Sequence, residues 1–331
     1  MSLKDALNNP QINRDEVSLF EEMVKYFRGN YSSAVIDQTH KHSVSFNAVK
    51  PYENWGTVTK EISDVFFIVF SEKRRIARMT HLQAKFKKGQ YNRTQIPQFK
   101  FYLDAGQYHL LSNRLPICDP QNIYPWDILS FPLYSDSVAS YGVFYFNLYN
   151  QIEMAYEISS LLSSGSRKPF TKKDDKPLYQ FASLETNYGY LNKNQSLLSQ
   201  KLPQEFKDWM CYYNCVIRHG FSYELLSTLD TNTFEQELIN LHVGTRFEFN
   251  SDHLAHLCAF FEAQQKSNNV VGKFRWFTNA TLRNNDNFPD EWYEQMRNLN
   301  NNYPPLAERT LGNQEGEEGV YILIDADGIN E

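Results

Sequence analysis

Three polar residues lie in two apolar stretches of the sequence, with a spacing that could hold a metal ion beside a phosphate. Asp64 is at the start of the run Ile62 to Phe70, and Gln83 and Lys85 fall near the end of a second run, Ile76 to Phe86. Because side chains alternate along a strand, Gln83 and Lys85 point to the same face. Burying an amide and an ammonium group is costly without a partner, and Asp64 is the obvious partner on the neighbouring strand.

Two interpretations of this cluster stay open at the level of sequence. In the first, a carboxylate and an amide oxygen hold a hard cation such as Mg²⁺, and a lysine orients an attacking water and offsets charge on a phosphate. In the second, Asp64 and Lys85 form a buried ion pair with a purely structural role.

The flanking sequence predicts the elements that would position these residues. Asp15 to Phe27 is amphipathic and predicts a helix, and the two apolar runs predict central strands joined by a hairpin at the charged segment between them. Ala105 to Arg114 predicts a second helix that ends before Pro116, and Tyr141 to Leu148 predicts an aromatic strand.

This order of elements, with Asp64 on one strand and Gln83-Ala84-Lys85 on the next, resembles the PD-(D/E)xK nuclease superfamily in the QxK variant of Mrr-like restriction endonucleases. The resemblance covers roughly residues 13 to 150 and implies an α/β fold, with a restriction-endonuclease-like central mixed sheet flanked by helices. It implies Mg²⁺ or Mn²⁺ held by Asp64 and Gln83, with Lys85 as the catalytic lysine. Family members often carry a glutamate on the preceding helix, and Glu21 is the residue that would take this supporting role.

Charge is distributed unevenly along the chain. Nine Lys or Arg residues and no Asp or Glu lie between Lys73 and Lys100, whereas eleven acidic and two basic residues lie between Asp286 and Glu331. If the cluster binds a phosphodiester, six of the basic residues flank it and predict phosphate contacts; they are Arg74, Arg75, Arg78, Lys87, Lys88 and Arg93. The alternative is that both segments are solvated faces. The net charge of −6 argues against a free-standing protein that coats DNA without specificity.

Length and composition predict how the chain is organised. The 331 residues, 41% hydrophobic and 22% charged, are typical of a folded protein with a substantial core. Residues 163–177 are rich in Ser, Gly, Lys and Pro and predict a linker between a nuclease-like domain, 1–162, and a mainly helical domain with an acidic tail, 178–331. The sequence shows no signal peptide and no apolar run of the roughly 20 residues that cross a bilayer, which favours a cytoplasmic location.

Other motifs in the sequence are weaker indications of function. Cys211, Cys215 and His219 recur at four-residue spacing, and His256 and Cys258 could complete a zinc site, although core cysteines are the preferred interpretation. The sequence contains no GxGxxG, Walker A or GxSxG motif, which argues against dinucleotide binding, nucleotide hydrolysis and α/β-hydrolase chemistry.

The expected function is therefore a metal-dependent endonuclease that cleaves DNA phosphodiester bonds, in the restriction or antiviral-defence setting that the resemblance implies. The alternative is a non-catalytic, nuclease-like binding or assembly subunit of a defence complex, favoured by the neutral Gln83 and the negative net charge. The expected partners are nucleic acid, DNA in preference to RNA, and either a second copy of the chain or a co-encoded defence protein, without a membrane.

Overall fold

The computed structural model describes residues 1–38, 43–74, 76–92, 100–119, 124–130, 136–164, 172–181, 188–190, 225–228, 230–246, 252–283 and 319–329. The α-helices in these ranges are α1 (Leu3–Leu7), α2 (Glu16–Asn30), α3 (Ala105–Asn113), α4 (Thr231–Ile239), α5 (Asp252–Gln265) and α6 (Asn269–Arg283). The strands are β1 (Tyr31–Gln38), β2 (Ser43–Asn47), β3 (Thr57–Glu61), β4 (Val65–Ser71), β5 (Ile76–Tyr91), β6 (Lys100–Tyr102), β7 (Ala139–Asn147), β8 (Ile152–Ile158), β9 (Ser163–Ser164), β10 (Leu178–Gln180), β11 (Tyr188–Tyr190), β12 (Leu225–Thr228), β13 (Thr245–Arg246) and β14 (Gly319–Ile329).

The fold is mixed α/β, as predicted, with a mixed central sheet between layers of helices. The sheet has the order β1-β14-β4-β5-β7-β8-β12-β11, and β13 adds a short pairing to β5. The pairs β14–β4 and β5–β7 are parallel, and the other pairs of this sheet are antiparallel. Smaller sheets of the order β6-β10-β9 and of the pair β2–β3 complete the described strands.

The predicted hairpin of β4 and β5 forms the centre of this sheet. Every residue of β4 is buried, and a continuous apolar run is typical of a strand that is covered on both faces. The two strands pair from Val65 opposite Leu82 to Ser71 opposite Ile76. Because β5 continues to Tyr91 while β4 begins only at Val65, β5 extends past β4, and no other described strand pairs with this edge, called here the uncovered edge of β5.

Each face of the sheet has its own hydrophobic core. One core is formed with α3, α5 and α6 and includes Phe66, Met79 and Tyr141. The other is formed with α1, α2 and α4 and includes Phe67 and Leu82. The predicted helices at 15–27 and 105–114 and the strand at 141–148 are confirmed, each within a few residues of its expected bounds.

The predicted boundary at residues 163–177 does not divide the sheet. The final strand, β14, lies between β1 and β4, and β12 pairs with β8, so strands from both sides of the boundary share one sheet. Residues 172–177 are also bound to the rest of the protein. The N–H of Gly106 donates to the carbonyl of Lys173 (2.9 Å), and Lys60 forms an ion pair with Asp174 (2.6 Å).

None of the helices in the described ranges is long and apolar enough to cross a membrane.

Candidate active site

The Asp64 carboxylate binds the uncovered edge of β5. Its Oδ2 atom accepts hydrogen bonds from the backbone N–H of Ala84 (2.6 Å) and from Nε2 of Gln83 (2.5 Å). The other oxygen, Oδ1, accepts no hydrogen bond from the described residues. Asp64 lies one residue before β4, and this position brings its side chain over the part of β5 that β4 does not cover.

Gln83 connects Asp64 to α3. Its Oε1 accepts a hydrogen bond from Nε2 of Gln107 (2.6 Å), and the same nitrogen donates to the carbonyl of Glu61 (3.0 Å). Asp104, the N-cap of α3, accepts from the N–H of Gln107 (2.8 Å) and so fixes the first turn of that helix. The side chains of Gln83 and Gln107 are buried among these partners.

A second carboxylate, that of Glu16, reaches the same strand edge from the first turn of α2. Its Oε2 accepts the backbone N–H of Phe86 (3.0 Å), and its Oε1 is 3.1 Å from Nζ of Lys85. The N–H groups of Ala84 and Phe86 are two residues apart on one strand, which separates them by about 7 Å. Two carboxylates and one lysine therefore lie together along the edge of β5.

The helix glutamate of this cluster is Glu16, and not the predicted Glu21. Helix α2 begins at Glu16, after the N-cap Asp15, whose side chain accepts the N–H of Ser18 (2.8 Å). Glu21 lies more than one turn further along α2 and is exposed. The sequence favoured Glu21 because it lies beside the apolar stripe of the helix, and it indicated for Glu16 only a capping box with Asn13. In the structure Glu16 lies in the first turn, where acidic residues are favoured by the helix dipole.

Burial dominates the electrostatics of Asp64. The residue is 7% exposed, and desolvation raises the pKa of its carboxyl from 3.8 to about 6. The charge of Lys85 and the hydrogen bonds from Ala84 and Gln83 lower this pKa, and the charge of Glu16 raises it. A carboxyl whose pKa has been moved into the range where it can exchange protons near neutrality is typical of functional sites.

Two of the predicted phosphate-binding lysines lie beyond this cluster on β5. Lys87 is on the same face of β5 as Lys85, and its Nζ lies 5.9 Å from the centre of the Tyr91 ring. Lys88 is exposed, at a point where the pairing of β5 with β7 shifts register.

The arginines in the predicted set are placed differently. Arg78 is 2% exposed, and its Nη1 donates to the carbonyl of Gly244 (2.6 Å), so it is a buried structural residue and cannot contact nucleic acid as predicted. Arg74 is exposed in the β4–β5 turn, at the opposite end of β4 from Asp64, where its Nη1 donates to the carbonyl of Asn240 (3.0 Å). Arg75 and Arg93 lie outside the described residues.

The β5 edge carries carboxylate oxygens, which are the kind of ligand that a magnesium ion uses. Mg²⁺ prefers oxygen ligands and is commonly held by one or two carboxylates together with waters and substrate phosphate. Asp64 and Glu16 provide such carboxylates. No group of three or more His, Cys, Asp or Glu side chains that could hold a metal occurs within the part of the chain that the structure describes, so the described acidic residues contribute only this pair of carboxylates there.

Of the residues that could form the alternative zinc site, Cys211, Cys215 and His219 lie outside the described residues. Cys258 is buried on α5, and burial raises the pKa of its thiol to about 12. At neutral pH this cysteine is a protonated core residue.

No protein-family model, curated protein or solved structure matches this chain.

Proposed function

We propose that the protein is a metal-dependent endonuclease that cleaves DNA phosphodiester bonds. The observation that carries this proposal is the arrangement at the β5 edge. Asp64 accepts the N–H of Ala84, and Glu16 accepts the N–H of Phe86 and the Nζ of Lys85, the residue between these two. Lys85 lies on β5, Asp64 lies immediately before β4, and Glu16 begins α2. Such support keeps reacting groups in a fixed geometry, which catalysis of phosphoryl transfer requires.

Each residue of the cluster has a chemical role in this proposal. The carboxylates of Asp64 and Glu16 would hold Mg²⁺ or Mn²⁺. When bound, such an ion neutralises charge on the phosphate and increases the acidity of a coordinated water. Lys85 donates hydrogen bonds through Nζ, either to the attacking water or to a non-bridging phosphate oxygen. Asp64 is ionised above a pH of about 6, and only the ionised form is a strong cation ligand.

The substrate path follows from the positions of the basic residues. Lys87 continues the face of β5 that carries Lys85, and Lys88 is exposed next to it. Both can neutralise backbone phosphates, which provide affinity without base specificity. DNA in preference to RNA and a role in restriction or antiviral defence belong to this proposal through the resemblance described above. A cytoplasmic location belongs to it through the sequence, which shows no signal peptide and no apolar run long enough to cross a bilayer.

A second candidate function is a nuclease-like binding or assembly subunit without catalysis. It is favoured by the ion pair between Lys85 and Glu16 and by the hydrogen bond from Gln83 Nε2 to Asp64, because these contacts satisfy the cluster within the protein. In this candidate function the basic residues bind nucleic acid or an acidic partner, and the polar cluster is structural.

Cleavage assays separate the two functions. Plasmid DNA is incubated with the protein and Mg²⁺ or Mn²⁺, beside Lys85→Met, which keeps the aliphatic length and removes the charge. Lys25→Ala is the control, because Lys25 is exposed on α2 and is 3.8 Å from Glu22 in a surface ion pair. Metal-dependent cutting that is lost in Lys85→Met and kept in Lys25→Ala supports the nuclease. Binding of DNA without cutting by the wild-type protein supports the binding subunit.

A further inference from the structure

The amide of Gln83 has a fixed direction in this structure. Its nitrogen faces Oδ2 of Asp64 (2.5 Å) and its oxygen faces Nε2 of Gln107 (2.6 Å). Nε2 of Gln107 carries two hydrogens, and it donates one to Gln83 and the other to the carbonyl of Glu61 (3.0 Å). The four groups form a chain of hydrogen bonds that begins at a main-chain acceptor and ends at the carboxylate.

Reversing the Gln83 amide would oppose both of its own contacts in this chain. The amide oxygen would then face the Asp64 carboxylate, and the amide nitrogen would face the nitrogen of Gln107. Gln107 could not compensate by turning over, since its own oxygen would then face the Glu61 carbonyl. Buried polar groups left without a partner are costly, so the main-chain carbonyl of Glu61 sets the direction of both amides.

This direction is unfavourable for a divalent cation beside Asp64. A hard cation binds the oxygen of an amide and not its nitrogen, yet the atom of Gln83 that faces Asp64 is the nitrogen. Using Gln83 as a ligand therefore requires the hydrogen bond from Gln107 to break. Metal binding that uses the Gln83 oxygen as a ligand therefore competes with the hydrogen bond between Gln107 and Gln83.

We propose that Gln107 is a positioning residue, which holds the Gln83 amide nitrogen toward Asp64 and thereby keeps the affinity for a divalent cation low until substrate phosphate supplies further ligands. This inference rests on the proposed function and adds a control to the same site. It also corrects the predicted role of Gln83, because in this structure Gln83 is a hydrogen-bond donor to Asp64.

The test measures metal affinity without DNA. Calorimetric titrations with Mn²⁺ compare the full-length wild type with Gln107→Met, which is similar in length and cannot donate. The hydrogen bond from the main-chain N–H of Gln107 to the Asp104 carboxylate does not involve the Gln107 side chain and remains in the variant. Loss of one neutral hydrogen bond, worth about 1 kcal/mol, predicts an affinity about fivefold higher than that of the wild type. Gln107→Asn, which is too short to reach Gln83, predicts the same increase if the Met variant does not fold.

Further variants show whether the effect passes through Gln83. In a Gln83→Met background, Gln107→Met should not change the affinity, because no amide oxygen is left to release. Gln83→Glu is the positive control and should bind Mn²⁺ more tightly, since it adds an anionic ligand beside Asp64. A purely structural role of Gln107 predicts unchanged or weaker binding in every Gln107 variant.

The outcomes separate this inference from the nuclease proposal. If the wild type cuts DNA with metal but neither Gln107 variant binds Mn²⁺ more tightly, the inference fails and the nuclease stands. An increase that persists in the Gln83→Met background also overturns it. If affinity rises as expected but the wild type does not cut DNA, the inference stands and the nuclease fails. Absence of Mn²⁺ binding in all variants, Gln83→Glu included, overturns this inference, and the cleavage assay alone decides whether the nuclease stands.

Discussion

Asp64 and Glu16 bind two N–H groups of one strand edge, those of Ala84 and Phe86. The edge is available because β5 continues past the start of β4, so no neighbouring strand takes these donors. An unpaired strand edge must find acceptors elsewhere, and here both acceptors are anionic. The same geometry that satisfies the backbone therefore brings two negative charges to Lys85.

The two glutamates of α2 should behave differently in the cleavage assay. Glu16→Gln keeps the acceptor for the Phe86 N–H but removes the charge beside Lys85, and it should lower the cleavage rate by about 100-fold or more, the scale of a lost electrostatic contact in a transition state. Glu21→Gln, on the exposed side of the same helix, should cleave like the wild type. A Glu21 variant that loses activity while Glu16→Gln retains it would reverse this assignment.

The sequence predicted local features well and long-range ones poorly. The runs at 62–70 and 76–86 have continuous apolar patterns, and they correctly indicated a central hairpin. Pairing of Gln83 with Gln107, and insertion of β14 between β1 and β4, depend on contacts between distant parts of the chain that no local period encodes. The positive charge of Arg78 did not indicate whether the residue is buried or exposed, because an arginine can lie in a strand interior as well as in a surface patch.

Asp64 should reduce the stability of the protein at neutral pH. Burial raises the folded-state pKa to about 6, above the ordinary value of 3.8, so the folded state binds this proton more tightly than the unfolded state does. The contribution of Asp64 to the free energy of unfolding is most favourable below pH 4. It falls as the pH rises to about 6, by up to about 3 kcal/mol in total. Asp64→Asn should therefore raise the free energy of unfolding at pH 7 and abolish cleavage.

Urea denaturation in EDTA at several pH values measures this effect. The wild type should lose stability relative to Asp64→Asn between pH 4 and pH 6, and the difference should then level off. Asp174→Asn is a control of opposite sign, because the Lys60 ammonium group lowers the pKa of the exposed Asp174 carboxyl, which therefore favours folding when ionised. A wild type that is more stable than Asp64→Asn at pH 7 would contradict the desolvation argument.

The basic residues of β5 should differ in their roles: Lys87 and Lys88 should contribute to DNA binding, and Arg78 should contribute to the stability of the fold. Replacing Lys87 and Lys88 by Glu should weaken DNA binding and reduce the slope of log affinity against log salt by about 2, one for each lost phosphate contact. Arg78→Met should instead lower the free energy of unfolding by about 2 kcal/mol, because it removes a charged donor from the buried Gly244 carbonyl. Its DNA affinity should be unchanged wherever it is folded.

Fluorescence anisotropy over a range of salt concentrations, with thermal unfolding of the same samples, distinguishes these classes. DNA binding by the Lys87/Lys88 variant with an unchanged salt slope would show that the phosphate contacts are made elsewhere. If the Lys87/Lys88 variant and Arg78→Met lost the same DNA affinity while both were fully folded, the result would contradict the buried role of Arg78.

The main-chain geometry at Gly244 should be essential for the short pairing of β13 with β5. Gly244 has a φ of +88°, and a Cβ atom there would lie 2.4 Å from the carbonyl oxygen of Met79, a main-chain atom that cannot move aside. Gly244→Ala should therefore destabilise the protein by about 2 kcal/mol or more. Gly272→Ala on α6, where the added atom meets nothing within 4 Å, is the matched control and should be neutral or slightly stabilising in urea denaturation.

Residues 1–162 expressed alone should not fold cooperatively, even though they contain the whole candidate site. Truncation removes β14, which separates β1 from β4 in the sheet, and leaves the apolar strand β4 with an open edge. It also removes Glu235 of α4, whose carboxylate accepts hydrogen bonds from Tyr26 and Tyr31 on the first helix and strand.

Circular dichroism and thermal melting of three samples check this expectation: the full chain, the fragment 1–162, and a chain cut by a protease site placed within residues 165–171. The cut chain keeps every described element, because the site falls between β9 and the segment that binds α3, and it should melt as one cooperative unit close to the full chain. Its Mn²⁺ affinity should also match that of the full chain. A fragment 1–162 that melts cooperatively would show instead that these residues form an independent domain, and that β14 joins a sheet already complete without it.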